Sequence, residues 1–172
     1  MSGSGVGKIV ERSIAGVARG GRSLTRLTYA AIRDDGLKGE FMSTLGLIEY
    51  KDASPEVRAV YDDIMATRKT DWINNFWKAI AHDPATLKRT WEDIKQIMAP
   101  GALDPLTKEL IYVAVSVTNQ CHYCIASHTV SAQKKGMTDA MFKELMAVVG
   151  MANETNKMVT GYQVEIDEQF KK

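Results

Sequence analysis

Three times in this chain a helix-capping side chain is followed at once by proline: Ser54-Pro55, Asp83-Pro84 and Asp104-Pro105. Proline is tolerated in a helix only at its first turn, where the missing N–H would have had no partner. A Ser or Asp just before it can accept from the free N–H groups of that turn. Each pair therefore marks a helix start, and apolar residues follow each at helical spacing. After the first come Val57, Val60, Tyr61, Ile64 and Met65. After the second come Leu87, Trp91, Ile94 and Met98, ended by Pro100-Gly101. After the third, over roughly 105–118, come Leu106, Leu110, Val113, Ala114 and Val117. Asp71 is expected to cap another helix, with Ile73, Phe76, Trp77 and Ile80. Cys121 to Lys135 reads as a helix closed by Gly136. Thr138 caps the next, through Met146 and Val149. A last one is expected from about Asn153 to Phe170, with Met158, Tyr162, Ile166 and Phe170 about four apart. No segment alternates as a strand does. The expectation is an all-α bundle of about seven helices joined by short loops. The chain has no exact internal repeat; the Asp-Pro starts reuse a capping device.

These signals occupy residues 42–172, which read as one domain of adequate size for a hydrophobic core. Residues 1–41 differ. After a Gly/Ser-rich opening, the stretch from Lys8 to Arg33 holds six basic residues (Lys8, Arg12, Arg19, Arg22, Arg26 and Arg33) and a single acid, Glu11, with apolar residues interleaved among them. Three readings are open for this N-terminal extension: a segment foreign to the domain, a docking arm at 8–33 for a partner or a membrane surface, and a transit-like targeting sequence. Over the whole chain the net charge is +1, which gives no argument for nucleic acid as a partner. No apolar run approaches the roughly 18 residues of a membrane helix, and the N-terminus shows no continuous apolar signal segment. There is no Gly-rich phosphate loop and no dinucleotide fingerprint.

The chemistry is concentrated in Glu109-x11-Cys121-x2-Cys124-x3-His128, which holds both cysteines of the chain. On a helix beginning near Cys121, the residues Cys121, Cys124 and His128 share one face. Cysteines three apart on a helical turn can bridge at the Cα separation of about 5.5 Å that a disulfide prefers. Such a bond closes too small a loop to stabilise much, so its value would be chemical. A thiolate is the attacking species, and the partial positive charge of the helix N-terminus acts most on Cys121. His128, one turn after Cys124, can take its proton. Glu109, on the preceding helix, shares a face with Val113 and Val117. A carboxylate there is costly without a partner, and His128 is the partner inferred, directly or through water. A competing reading is a metal site of Cys121, Cys124 and His128 with Glu109 as fourth ligand, although structural zinc sites favour loops and four soft ligands. His122 reads as a solvent or interface residue, His82 as a helix C-terminal residue, and Tyr123 as packing. Trp72, Trp77 and Trp91 read as core or subunit interface. Two cysteines this close fit a cytoplasmic protein with a transient disulfide better than a secreted framework.

The Glu109…Cys121-His122-Tyr123-Cys124…His128 pattern resembles the core of the AhpD-like alkylhydroperoxidases, within the carboxymuconolactone decarboxylase superfamily. Asn75-Phe76-Trp77-Lys78-Ala79-Ile80-Ala81-His82-Asp83-Pro84 resembles the peroxidase-related branch. The resemblance spans roughly residues 45–170. It implies an all-α, AhpD-like helical bundle that is oligomeric, as a homo-trimer or homo-hexamer. It implies reduction of hydrogen peroxide or small organic hydroperoxides, with no cofactor and no metal. Cys124 would be the peroxidatic nucleophile and Cys121 the resolving, donor-facing thiol. His128 would be the general base and Glu109 the residue that orients it. A dithiol or protein thiol would be the reductant. Tyr123 stands where the best-known members carry histidine, so their lipoyl-linked reductant is not carried over. A lactone-acting decarboxylase on the same scaffold, and a non-enzymatic metal-binding or oligomeric scaffold protein, are the alternatives.

Overall fold

The computed structural model describes residues 43–171; the readings made for 1–41 lie outside the described residues. Six α-helices follow one another: α1 (Pro55–Arg68), α2 (Asn75–Ile80), α3 (Pro84–Ile97), α4 (Pro105–Thr118), α5 (His122–Lys134) and α6 (Asp139–Gly161). Single 3-10 turns stand at Tyr50–Asp52 and Glu168–Phe170, and there is no strand among the described residues.

All three Pro-marked starts are used. Ser54 accepts from the Val57 N–H at 3.3 Å. Asp83 and Asp104 build the same cap twice. One carboxylate oxygen accepts from two backbone N–H groups, those of Ala85 and Thr86 in one case and of Leu106 and Thr107 in the other. The second oxygen takes the hydroxyl of Thr86 or Thr107. The repeated Asp-Pro-x-Thr thus uses both carboxylate oxygens and satisfies the two N–H groups that follow the proline. Gly136 follows α5 at φ +101°, a conformation that glycine adopts without steric cost.

Two helices differ from expectation. Asp71 does not cap α2. The helix begins four residues later, with Asn74 as N-cap, and Ile73 is buried in the preceding loop. Asn74 does not cap through its side chain either, because its Oδ1 accepts from Arg68 Nη1 at 2.8 Å. The two helices expected after Thr138 are one 23-residue helix, which makes six helices rather than seven. No proline interrupts it, and Gly150 keeps its N–H, so it weakens the helix without ending it. Asn153, expected at a helix start, sits mid-helix. Its Nδ2 donates to Val149 O and to Thr118 Oγ1 at the end of α4. The helix ends at Gly161, and only a single turn follows before Phe170.

The main core lies among α1, α2 and α3. Trp77, Tyr61, Ile64, Leu87 and Val57 are essentially shut off from solvent. Trp77 packs edge-on to Trp91, with centroids 5.5 Å apart, as aromatic quadrupoles prefer. Trp91 Nε1 donates to Asp63 Oδ2 at 2.6 Å, so the indole is buried without an unpaired donor. Trp72, by contrast, is exposed. The second half is organised on α4, which packs against α5 and α6. Lys108 links the halves by donating to the Ile97 and Ala99 carbonyls at the end of α3. Among the described residues, no helix is long and apolar enough to cross a membrane.

These differences in burial predict different costs. Trp77→Ala is expected to destabilise by about 3–5 kcal/mol through the cavity it opens. Asp104→Ala, which removes only an exposed cap, is expected to cost about 1 kcal/mol. Denaturant titration of both variants checks the ordering; equal midpoints would contradict it.

Candidate active site

Helix α4 packs against α5, and Glu109 is on its buried face. The buried residues of α4 are Glu109, Val113 and Ser116, spaced at four and three. Ser116, rather than Val117, completes the face; its hydroxyl donates back to Tyr112 O at 2.7 Å. The Glu109 carboxylate, 5% exposed, is met by two donors from the facing helix region. His128 Nδ1 lies 2.7 Å from Oε2, and Lys135 Nζ lies 2.8 Å from Oε1. Both carboxylate oxygens are thereby used.

A turn before His128, Cys121 and Cys124 are joined in a disulfide, with Cα atoms 5.3 Å apart. Cys121 is the N-cap of α5, and its Sγ accepts from the Cys124 N–H at 3.3 Å. The first sulfur therefore sits at the positive end of the helix dipole. The second lies one turn from the imidazole in sequence.

The pairing fixes the protonation chemistry of the ring. An ionised carboxylate can only accept, so Nδ1 carries the proton and, in the neutral ring, Nε2 carries the lone pair. Burial alone would push the Glu109 carboxyl up. The hydrogen bonds from His128 and Lys135, with the charges behind them, outweigh it and hold the group below the ordinary glutamate range. Tyr112, one turn after Glu109, stacks on the imidazole, with centroids 3.6 Å apart and planes 15° from parallel. The ring is thus held at one nitrogen and one face.

A third helix reaches the site. Arg68, at the end of α1, lies 5.3 Å from the ring centroids of both Trp77 and Trp91. Burial pushes its guanidinium down, and Glu109 and Tyr123 offset only part of that. Tyr123, between the cysteines, is half-exposed and does not pack in the core. Its hydroxyl accepts from the Phe76 N–H at 3.2 Å and so takes up one of the first-turn donors that Asn74 leaves unsatisfied.

The four residues singled out in sequence, Glu109, Cys121, Cys124 and His128, are therefore gathered on α4 and α5, and the Glu109–His128 contact is direct. His122 is exposed. His82 lies in the turn after α2, with Nε2 3.4 Å from the Gly46 carbonyl oxygen, away from the motif. Among the described residues, no three His, Cys, Asp or Glu side chains are gathered as a metal site needs. Sequence reasoning missed Lys135, Tyr112 and Arg68. The first two had a signal: Lys135 is seven residues after His128 and Tyr112 three after Glu109, both same-face spacings. Arg68 had none, because it comes from a helix distant in sequence.

The lowered Glu109 carboxyl has a consequence for stability. An unfolded chain binds this proton more readily than the folded one, so stability rises with pH through this range. The contribution is fully present above the ordinary glutamate value of about 4.3 and is lost as pH falls through the lower folded value. Glu109→Gln is expected to flatten that acid limb. Denaturation midpoints from pH 7 down to about pH 3 measure it, and an unchanged slope would count against the pairing.

Residues 84–164 match the carboxymuconolactone decarboxylase family. Among solved structures, the chain is similar to the alkylhydroperoxidase AhpD core from Rhodospirillum rubrum. The two are 56% identical, with a TM-score of 0.66, over 67% of this chain and 86% of that one. A curated relative from Paracoccus denitrificans, described as uncharacterized protein 4 in the cox locus, is 43% identical over 54 residues. That match spans 31% of this chain and about half (49%) of the relative. The extent and identity of the match to the solved core, on the same all-helical fold, show that the chain belongs to the AhpD-like members of the carboxymuconolactone decarboxylase superfamily.

Proposed function

We propose that this protein is a thiol-dependent peroxidase that reduces hydrogen peroxide or small organic hydroperoxides through Cys121 and Cys124. One observation carries the reading. The cysteines pair as a disulfide at the start of α5, and one turn on stands an imidazole whose Nδ1 is held by a buried carboxylate. The 56% identity to a solved alkylhydroperoxidase core supports it.

In the reduced protein, His128 Nε2 takes the Cys124 proton. The thiolate sulfur attacks the nearer peroxide oxygen, the O–O bond breaks, and the alkoxide leaves as an alcohol with the proton that the imidazole returns. Cys124 is now a sulfenic acid. The Cys121 sulfur displaces its hydroxyl, which leaves as water with the Cys121 proton, and the disulfide forms. Sulfur has supplied the two electrons that reduce the peroxide. A dithiol or protein thiol gives two electrons and two protons back to the pair, entering at Cys121. Glu109 orients His128 and stabilises the imidazolium as it forms. The cycle suits the cytoplasm, which keeps thiols reduced. Lactone decarboxylation, suggested by the family's name, is the alternative; proton chemistry on a lactone has no use for a second thiol.

The reading extends to assembly. Ile111 and Val115 on α4, and Val148 and Met151 on α6, are exposed apolar residues. A second and third copy of the chain, as a homo-trimer or a homo-hexamer of two trimers, would cover such surfaces. Light scattering of the purified protein is expected to give one of these masses, and a monomer at micromolar concentration overturns this part.

The chemistry is tested on reduced protein with one equivalent of an organic hydroperoxide, followed by intact mass and thiol counting. Wild type is expected to lose two thiols and two hydrogens. Cys121→Ser is expected to stop at an added oxygen on Cys124, and Cys124→Ser to form no intramolecular disulfide. His128→Gln is expected to slow the first oxidation by about 10²–10⁴-fold. Thiols that stay reduced in the wild type overturn the proposal.

A further inference from the structure

The Glu109–His128 pair is the arrangement expected of a base and the residue that orients it. The third member, Lys135, is not required by that scheme, yet its ammonium lies 2.8 Å from the carboxylate oxygen that His128 does not use. We propose that Lys135 is a positioning residue of the thiol site, which acts through Glu109 to set how strongly the carboxylate draws a proton onto His128. The inference deepens the thiol-peroxidase reading and rests on it for its catalytic consequence.

The placement follows from the chain. Lys135 is the C-cap of α5, where the helix dipole favours a cation, and Gly136, at φ +101°, turns the chain away immediately after it. Seven residues, close to two turns, separate it from His128, so both donors descend from one face onto one buried carboxylate.

The electrostatic consequence has a definite sign. A lone Glu109 would form a neutral ion pair with imidazolium and would favour the protonated ring. With Lys135 bound, the carboxylate is already neutralised, and a proton on His128 leaves a net positive cluster against a buried group. Lys135 thereby keeps the imidazole free to accept the Cys124 proton. It also locks the carboxylate plane, so that Oε2 is always presented to Nδ1.

The other charged groups nearby do not substitute for it. Arg68 feels the charge of Glu109 but hydrogen-bonds Asn74 and lies over Trp77 and Trp91. Lys108, next to Glu109 in sequence, is committed to the carbonyls of Ile97 and Ala99. Tyr112, stacked on His128, and Tyr123, bonded to the Phe76 N–H, bring phenols and no cation.

The test is an NMR titration of the ring C–H signals in reduced full-length protein labelled at histidine. His128→Gln assigns the signal among the three histidines. Lys135→Met is expected to move the His128 midpoint up by about 0.5–1 pH unit relative to wild type, and Lys135→Arg to restore it. In a Glu109→Gln background the same Met substitution is expected to move it by less than half as much. Lys135→Gln runs in parallel, so a folding failure of the Met variant leaves the comparison standing. A midpoint that stays within about 0.2 unit of wild type in the Met and Gln variants overturns the proposal, as does a full shift that persists without Glu109. Failure of the wild-type thiols to react with hydroperoxide would instead strike the peroxidase reading and leave this titration interpretable. Where both hold, the rate of Cys124 oxidation in Lys135→Met has its acid limb displaced upward by the same amount.

Discussion

A carboxylate shut off from water is unfavourable unless it is paired on every side, and Glu109 is such a group. Its two oxygens take a ring N–H and an ammonium, both supplied by residues 128–135. This requirement ties α5 to α4 at a fixed rotation and register, because a turn of α5 in either direction would leave a buried charge unpaired. An apolar α4–α5 interface would tolerate sliding; this one does not. The positions of the cysteines follow from it, since they are carried on the same helix as His128.

The α1–α3 half contributes a firm wall. Its core is built on large, fully buried side chains, with Trp77 and Trp91 packed edge to face. From that wall come the Arg68 guanidinium and the N-terminus of α2, whose unsatisfied Phe76 N–H is taken up by the Tyr123 hydroxyl. Tyr123, one of the two residues between the cysteines, is therefore attached to the opposite half of the molecule. Tyrosine, with its longer reach and neutral acceptor, suits that contact in a way that a residue serving only the thiols would not require.

Much of the fold could be read from local chemistry. The Pro-marked starts of α1, α3 and α4 are visible because a cap and its proline are neighbours in sequence, and the end of α5 because Gly136 follows it. The misreadings have the same origin. Asp71 reads as a cap, but no helix begins until after Asn74, whose own side chain accepts from Arg68. Asn153 looked like a helix start, but its amide bonds Val149 and Thr118 within a continuous α6. The side chains of Asn74 and Asn153 each find a partner on another element, Arg68 of α1 and Thr118 of α4.

The site divides along the same line. By itself the sequence determined the helical class, the placement of Cys121, Cys124 and His128 on one helical face, and the need of Glu109 for a partner, because periodicity and capping act over a few residues. Only the tertiary structure decided that Glu109 meets His128 directly and shares itself with Lys135. It also decided that Tyr112 covers the imidazole and that Arg68 comes within electrostatic reach. Those contacts depend on how helices cross and how deeply a face is buried, and a carboxylate with two oxygens can find several donors of suitable spacing. Which of them it takes is settled by packing between elements, a property that no single segment carries.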